Sequence, residues 1–132
     1  MDALISQSPI LILLAFVVIT FLQSGIDKVL DWKGNLSWLT GHFAKTAFGG
    51  IVPFLLAVIT IMELASGVLA LAGIIEILLS GAYTFAFLGA LGAATSLLFL
   101  LLGQRVAKDY EGARTIVVYL IPTVILLVLI AA

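Results

Sequence analysis

The longest apolar stretch of the chain covers residues 51–75, and a single carboxylate, Glu63, lies at its middle. A helix of this length is about 37 Å long, enough to cross a hydrocarbon core of roughly 30 Å with some tilt. An acidic side chain at the centre of a bilayer costs about 2.5–3.5 kcal/mol on insertion scales. The other helices must therefore give Glu63 surroundings that tolerate it, and this constrains the fold more than any other feature.

The composition indicates a lipid environment. Of the 132 residues, 64% are hydrophobic and 10% are charged, whereas soluble domains carry about 25% charged residues. A chain this short cannot bury so many apolar side chains in one soluble core, so we expect the lipid bilayer as its main partner. A net charge of −1 gives no field that would attract nucleic acid.

Several kinds of chemistry lack the residues they need. The chain has no cysteine, which excludes disulfides, thiolate nucleophiles and iron–sulfur ligation within it. Its one histidine, His42, cannot supply the paired axial ligands of a membrane haem protein. No phosphate-loop, dinucleotide-binding, nucleophile or metal-ligand spacing is present. We therefore assign no catalytic residue, haem or metal, and expect no enzyme activity from this chain alone.

The apolar segments predict an all-α, four-helix membrane bundle in a single domain. Ser8 and Pro9 are typical of a helix start, and the first segment lacks the basic region and cleavage site of a secretory signal. We therefore interpret it as an uncleaved span. The predicted spans are about 9–30, 51–75, 82–102 and 115–130.

Residues 31–50 differ from the spans because aromatic and polar side chains alternate there. Trp32 and Trp38 are interleaved with lysines and His42, and tryptophan favours the headgroup layer. We expect a short amphipathic segment at the membrane interface between spans one and two. His42 could donate a hydrogen bond to a quinone, but we favour an ordinary interfacial role for it.

The basic residues predict the orientation of the chain. All six lysines and arginines fall at the loop ends of the spans: Lys28 lies near the end of span one, and the other five lie between spans one and two or between spans three and four. Four spans place both connecting loops, 31–50 and 103–114, on one side. The positive-inside rule then makes these loops cytoplasmic and puts both termini outside the cell (inner) membrane.

Glu63 has small and hydroxylated neighbours on its own helix face, including Thr60, Ser66 and Gly67. Another helix can approach closely there, and Gln23 and Ser24 of span one are plausible partners. Two interpretations remain open. Glu63 is either a neutral clasp hydrogen-bonded across helices, or a proton-handling or cation-binding group.

Lys28 also allows two interpretations. It could reach inward to Glu63, or it could extend to the interface while Asp27 and Asp31 face water. We favour the interfacial position because Glu63 lies about 18 Å along its helix from either end.

Two further helix faces are predicted to point inward. Span three carries small residues four apart, which permit close helix packing in lipid; they are Ala82, Ala86, Ala90 and Ala94. Span four carries Thr115, Tyr119 and Thr123 on one face.

Two segments resemble the DoxX-like family of small four-span membrane proteins: FLQSGIDKVLDW at 21–32 and ELASGVLALAG at 63–73. The positions of this sequence that match the family's pattern are Gly25, Lys28, Glu63 and Gly67. It implies a four-helix membrane bundle. It also implies a link to redox chemistry, since some members are named for thiosulfate–quinone oxidoreductase and others are linked to oxidative-stress complexes.

Three functions follow as expectations. The first is a subunit or partner of a quinone-linked membrane redox complex, with a quinone or lipid as ligand and other membrane subunits or a second copy as partners. The second is a non-enzymatic scaffold or assembly factor. The third is a small proton-coupled transporter that uses Glu63. We place it last because small multidrug-resistance transporters carry their essential glutamate in the first span.

Overall fold

The computed structural model describes residues 2–132 and contains five helices, with no strand among these residues. Four of the helices, α1, α3, α4 and α5, are long and apolar enough to cross a membrane. The prediction of an all-α, multi-pass membrane bundle is therefore confirmed. The helices are α1 (Asp2–Leu30), α2 (Trp32–His42), α3 (Val52–Ser80), α4 (Thr84–Val106) and α5 (Tyr110–Ala131).

The four long helices pack in the order α1, α3, α4, α5, and α1 also touches α4 and α5 to close the bundle. Leu14, Leu56 and Leu126 are fully buried at its centre. Large apolar side chains also cover the outer faces of the four helices. Lipid tails are as apolar as these side chains, so this outer surface is suited to a bilayer.

The α3–α4 contact depends on small residues. A Cβ added to Gly73 would lie 2.6 Å from the backbone of Ala86, and one added to Gly89 would lie 2.6 Å from the backbone nitrogen of Ala70. The two backbones therefore nearly touch. Ala86, Ala90 and Ala94 are buried as predicted, while Ala82 precedes α4 and is only half-buried.

The predicted helix start at Ser8 and Pro9 is wrong, because α1 already begins at Asp2. Pro9 has no N–H with which to bond the carbonyl of Ile5, four residues earlier. The Ser8 hydroxyl donates to that carbonyl instead, at 3.0 Å. This substitute bond satisfies the free carbonyl and allows the helix to run through the proline.

The second span is longer than the predicted 51–75, since α3 continues to Ser80 and ends at Gly81, whose φ of 75° is left-handed. Glu76 lies inside the helix. Its Oε1 accepts a hydrogen bond from the backbone N–H of Phe85 at 3.0 Å. Glu76 thus satisfies an unpaired donor in the first turn of α4.

The face predicted to point inward on span four is only partly inward. Thr123 is buried and Tyr119 is half-buried, but Thr115 is exposed. Thr115 lies in the second turn of α5, close to the loop that precedes the helix. The bundle encloses this helix face only deeper in the membrane-spanning part.

Both polar loops lie at the same end of the bundle. Residues 32–42 form the short helix α2, which contacts α1 and α3 and has no buried residue. At the end of α2, the Nε2 of His42 lies 2.9 Å from Oε1 of Gln104 in α4. A direct contact therefore joins the loop after α1 to the end of α4.

The Gly89 contact gives a first prediction. Gly89→Ala should destabilise the protein by about 1–3 kcal/mol, because the added methyl group overlaps the α3 backbone. The free energy of unfolding in detergent micelles measures the effect. Gly41→Ala is the matched control, since nothing lies within 4 Å of its added Cβ. Equal stability of the two variants would contradict the close α3–α4 packing.

Candidate functional site

An ion pair between α1 and α3 forms the polar centre of the bundle. The Lys28 Nζ lies 3.0 Å from Oε1 and 3.4 Å from Oε2 of Glu63, whose side chain is 2% exposed. The ammonium also donates to the Ser24 hydroxyl at 2.7 Å. The structure thus brings three of the residues singled out in the sequence into one site.

The two carboxylate oxygens of Glu63 are held differently. Only the longer contact, from the Lys28 ammonium to Oε2, has hydrogen-bond geometry. Oε1 lies closer to Nζ but accepts no hydrogen bond from residues 2–132. Charge attraction therefore holds Oε1, and Glu63 depends on Lys28 as its polar partner.

The expectation that Lys28 extends to the interface is wrong, because the helices are offset. Glu63 is eleven residues after the start of α3 at Val52, or about 16 Å along the helix. Lys28 nevertheless lies level with it, two residues before α1 ends. The first turns of α3 extend past the end of α1, where α2 packs against α3. The distance of about 18 Å from Glu63 to the end of its helix places Lys28 at the interface only if α1 and α3 end at the same depth.

Two glycines permit this close contact. A Cβ on Gly67 would lie 2.7 Å from the side chain of Leu22, and one on Gly25 would lie 2.6 Å from the side chain of Leu64. Each helix thus places a leucine over a glycine of the other. The close approach expected at Gly67 is present, and it brings the lysine within reach of the carboxylate.

The buried hydroxyl groups near this level do not bind Glu63. Thr60 donates to its own helix at Leu56 O, at 2.6 Å, and Ser66 donates to Met62 O at 2.7 Å. Ser96 of α4 bonds Gly92 O in the same way. All three hydroxyl groups satisfy backbone carbonyls, so Thr60 and Ser66 give Glu63 no hydrogen bond although they are close to it in sequence.

Gln23 was expected to contact Glu63, but this prediction is wrong. The Gln23 side chain is exposed on the outer surface of α1. Successive helix residues are rotated by about 100°, so Gln23 cannot share the inward face that Ser24 and Lys28 form at a spacing of four. Although Gln23 is next to Ser24 in the sequence, its side chain therefore faces away from Glu63.

The contact with Lys28 bears on the two interpretations of Glu63. It joins α1 to α3, and loss of either partner would leave a buried polar group uncompensated inside the bundle. The geometry therefore fits a clasp between helices, but its second member is a lysine and not the uncharged hydrogen-bonding partner that was expected.

A second group of polar residues lies at the loop end of the bundle. The Nε2 of His42 is 2.9 Å from Oε1 of Gln104 and 3.8 Å from Oδ2 of Asp109. The Trp38 ring stacks on the His42 ring with centroids 4.6 Å apart. Of the predicted interfacial residues, Trp38 and His42 thus contact each other, while Trp32 is half-buried at the start of α2.

An apolar groove of about 380 Å³ lies beside this group, between the segment after α2 and the helices α3 and α4. We call it the lipid-side groove. Its walls include the aromatic rings of Phe43, Phe48, Phe54 and Phe99. Phe54 and Phe99 are exposed, so the groove opens towards lipid. Gln104 supplies its one polar lining side chain.

Gln104 and the phenylalanines of the groove were missed in the sequence. Gln104 follows an apolar span and precedes several charged residues, so it resembles an ordinary loop residue. Its partner His42 is 62 positions away. The sequence does show an uncharged amide, Gln104, at the end of a span. This position alone does not indicate which residue the amide contacts.

Residues 2–132 contain no group of three or more His, Cys, Asp or Glu side chains that could hold a metal ion. Comparison with protein-family models, curated proteins and solved structures finds no match to this chain.

The ion pair gives a second prediction. Lys28→Met or Glu63→Gln alone should destabilise the protein by about 3–5 kcal/mol, because each leaves a buried polar group without its partner. The double variant should recover most of this loss. The unfolding free energies of the wild type, the two single variants and the double variant form a double-mutant cycle. This cycle measures the coupling energy between Lys28 and Glu63.

The control for this cycle is Glu111→Gln, because Glu111 is exposed in the first turn of α5. Its stability should stay close to that of the wild type. Strictly additive effects of the Lys28 and Glu63 substitutions would contradict the clasp.

Proposed function

We propose that this protein is a non-catalytic subunit or partner of a quinone-linked membrane redox complex. The observation that carries the proposal is the lipid-side groove, which is apolar along its length and ends on Gln104 beside His42. A membrane quinone combines an apolar tail with a planar head that accepts hydrogen bonds. Ligand sites for such molecules are mostly apolar with a few placed polar groups.

The size and walls of the groove suit this ligand. Its volume of about 380 Å³ falls within the range of about 300–1,000 Å³ for small-molecule sites. Phe43 and Phe48 meet edge to face with ring centroids 6.2 Å apart, and a planar head can pack against such rings. The exposed Phe54 lies at the open side, where a lipid-soluble molecule can enter from the bilayer.

The polar end can supply a hydrogen-bond donor. Both His42 contacts, to Gln104 Oε1 and Asp109 Oδ2, are made by Nε2 and involve acceptor oxygens. These contacts favour the tautomer with the proton on Nε2. In our proposal a quinone carbonyl replaces Gln104 Oε1 as the acceptor of the hydrogen bond that His42 Nε2 donates. The His42–Gln104 contact would then be the resting state of the site.

The proposal gives this chain no redox centre of its own. Without cysteine it cannot ligate an iron–sulfur cluster, and one histidine cannot supply paired haem ligands. Electrons would therefore pass between the quinone and a partner subunit. The role of this chain is to hold the quinone at the loop end of the bundle, which we place on the cytoplasmic side because five of the six basic residues fall in residues 31–50 and 103–114 at that end.

The resemblance to DoxX-like proteins supports the same proposal. Its four carried-over positions, Gly25, Lys28, Glu63 and Gly67, are the residues that hold α1 against α3. In this structure they stabilise the bundle and do not line the groove. The shared residues thus account for a common architecture, and the groove would carry the ligand.

A scaffold or assembly factor is the second candidate function. It is favoured by the neutral ion pair and by the close glycine contacts, which use polar and small residues to fix the helices. The proton-coupled transporter is less well supported, because Glu63 is held in a contact between two closely packed helices.

A third prediction tests quinone binding. A short-chain quinone should quench the tryptophan fluorescence of the purified protein in nanodiscs and reach saturation. Trp38→Phe should remove most of this saturable quenching, because Trp38 stacks on His42 while Trp32 is at the other end of α2. His42→Ala should weaken quinone binding by removing the proposed donor.

Gly103→Leu should abolish the binding, because a Cβ at Gly103 already lies 3.4 Å from the Phe43 ring in the groove. Gly41→Leu is the matched control, since its added Cβ meets nothing within 4 Å. Quinone binding to Gly103→Leu with wild-type affinity would overturn the assignment of the groove.

A fourth prediction separates the two candidate functions. Purification from native membranes, followed by mass spectrometry of proteins and lipids, should yield a quinone and a cofactor-bearing redox subunit. Gly103→Leu should retain the subunit and lose the quinone. Recovery of unrelated membrane proteins, with neither a quinone nor a redox subunit, would favour the scaffold.

A further inference from the structure

The loop between α4 and α5 holds a lysine in an unusual backbone conformation. Lys108 has a φ of 59°, in the left-handed region that glycine adopts readily and that other residues disfavour. Among residues 2–132, no other residue except glycine has a positive φ. Backbone conformations of this kind cluster at functional sites. A glycine at this position would be less strained, so the presence of the lysine side chain needs an explanation.

Hydrogen bonds fix this loop at the end of α4. The backbone N–H of Lys108 donates to Arg105 O at 3.1 Å, and that of Asp109 donates to Gln104 O at 2.9 Å. These two bonds form a Schellman motif, in which the residue after the C-cap is left-handed and is usually glycine. Lys108 is therefore held in this conformation by the backbone, while its side chain is exposed.

Two arginines lie at the same junction of α4 and α5. The Arg105 guanidinium lies over the Tyr110 ring, 4.7 Å from its centroid, and this contact orients it beside the first turn of α5. Arg114 follows Tyr110 by four residues, so the two share a helix face. Both arginines and Tyr110 are exposed. We call Arg105, Lys108 and Arg114 the basic cluster.

The charges of the basic cluster are not paired within the protein. None of its three side chains forms an ion pair with residues 2–132. Of the two acidic residues in the same stretch, Asp109 accepts a hydrogen bond from the backbone N–H of Gly112 at 2.9 Å and lies 3.8 Å from His42. Glu111 is exposed in the first turn of α5. The cluster can therefore bind an anion from outside the protein.

The position of the basic cluster suits a lipid headgroup. It lies where α4 and α5, both apolar enough to cross a membrane, are joined at the loop end. Tyr110 combines an apolar ring with a polar hydroxyl and is a residue type that favours the headgroup layer. Val117 and Ile121 follow Arg114 on the same face of α5, at spacings of three and seven, and both are exposed. Apolar surface that faces lipid therefore continues from the cluster into the membrane.

We propose that the basic cluster binds the phosphate of an anionic phospholipid in the leaflet at the loop end. Lysine and arginine donate charge-assisted hydrogen bonds to phosphate oxygens, and the planar guanidinium of arginine matches their geometry. The acyl chains then lie along Val117 and Ile121. The conformation of Lys108 is part of this site, because the loop that carries it is ordered before the lipid binds.

This site is separate from the proposed quinone site. None of its residues, Arg105, Lys108, Tyr110 and Arg114, lines the lipid-side groove. Binding of an anionic lipid can therefore be measured without a quinone or a redox partner, and neither proposal depends on the other.

Native mass spectrometry of the purified protein in detergent tests the proposal. Added phosphatidylglycerol, which is anionic, should bind more tightly than phosphatidylcholine, which has no net charge. Lys108→Gln and Arg114→Gln should each weaken phosphatidylglycerol binding by roughly fivefold, as expected for one basic residue near an anionic lipid. Lys45→Gln is the matched control, because Lys45 is an exposed lysine of the other polar loop. It should bind phosphatidylglycerol like the wild type.

Lys108→Gly separates a binding role from a structural one. Glycine adopts the φ of 59° without strain, so the free energy of unfolding should stay unchanged or rise while lipid affinity falls as in Lys108→Gln. The proposal is overturned if Lys108→Gly binds phosphatidylglycerol like the wild type, or if phosphatidylcholine binds as tightly. It is also overturned if Lys45→Gln weakens binding as much as Lys108→Gln, or if inorganic phosphate binds as tightly as the lipid.

Discussion

The Lys28–Glu63 ion pair is the interaction on which the rest of the bundle depends. A carboxylate inside a membrane requires a partner, and the hydroxyl groups of Thr60 and Ser66 on the same helix already donate to backbone carbonyls. Lysine supplies that partner only if α1 and α3 are close and correctly offset. Gly25 and Gly67 allow the close approach, and the leucine opposite each glycine fixes the offset. The cost of burying one acidic group thus determines how two helices must pack.

The bundle places different properties on different faces of its helices. The inward faces of α1 and α3 hold the charge pair and are closely packed, so they contribute rigidity. The faces of α3 and α4 near the loop end form an aromatic groove that opens to lipid, and its one polar lining side chain, Gln104, contacts His42. The outer face of α1 presents a polar amide among isoleucines.

Much of the fold could be predicted from local patterns. Four long apolar segments predict four membrane helices, and small residues four apart on span three predict a close helix contact there, because both depend on residues that are near in sequence. Predictions that required the relative depth of two helices were less successful. Lys28 was expected at the interface and Gln23 beside Glu63, whereas the offset of α1 and the rotation about its axis place Lys28 at Glu63 and Gln23 outside. The start of α1 was also wrong, since Ser8 satisfies the carbonyl that Pro9 leaves free.

The sequence alone determined that this is a membrane-spanning bundle with one carboxylate in its longest apolar stretch, because hydropathy and composition act over each segment separately. The tertiary structure decided what that carboxylate meets. It also decided that His42 contacts Gln104 across 62 positions and that a groove forms beside them. Such contacts depend on the offset and rotation of packed helices. Side-chain fit between distant segments sets these quantities, and no single segment of the sequence contains that information.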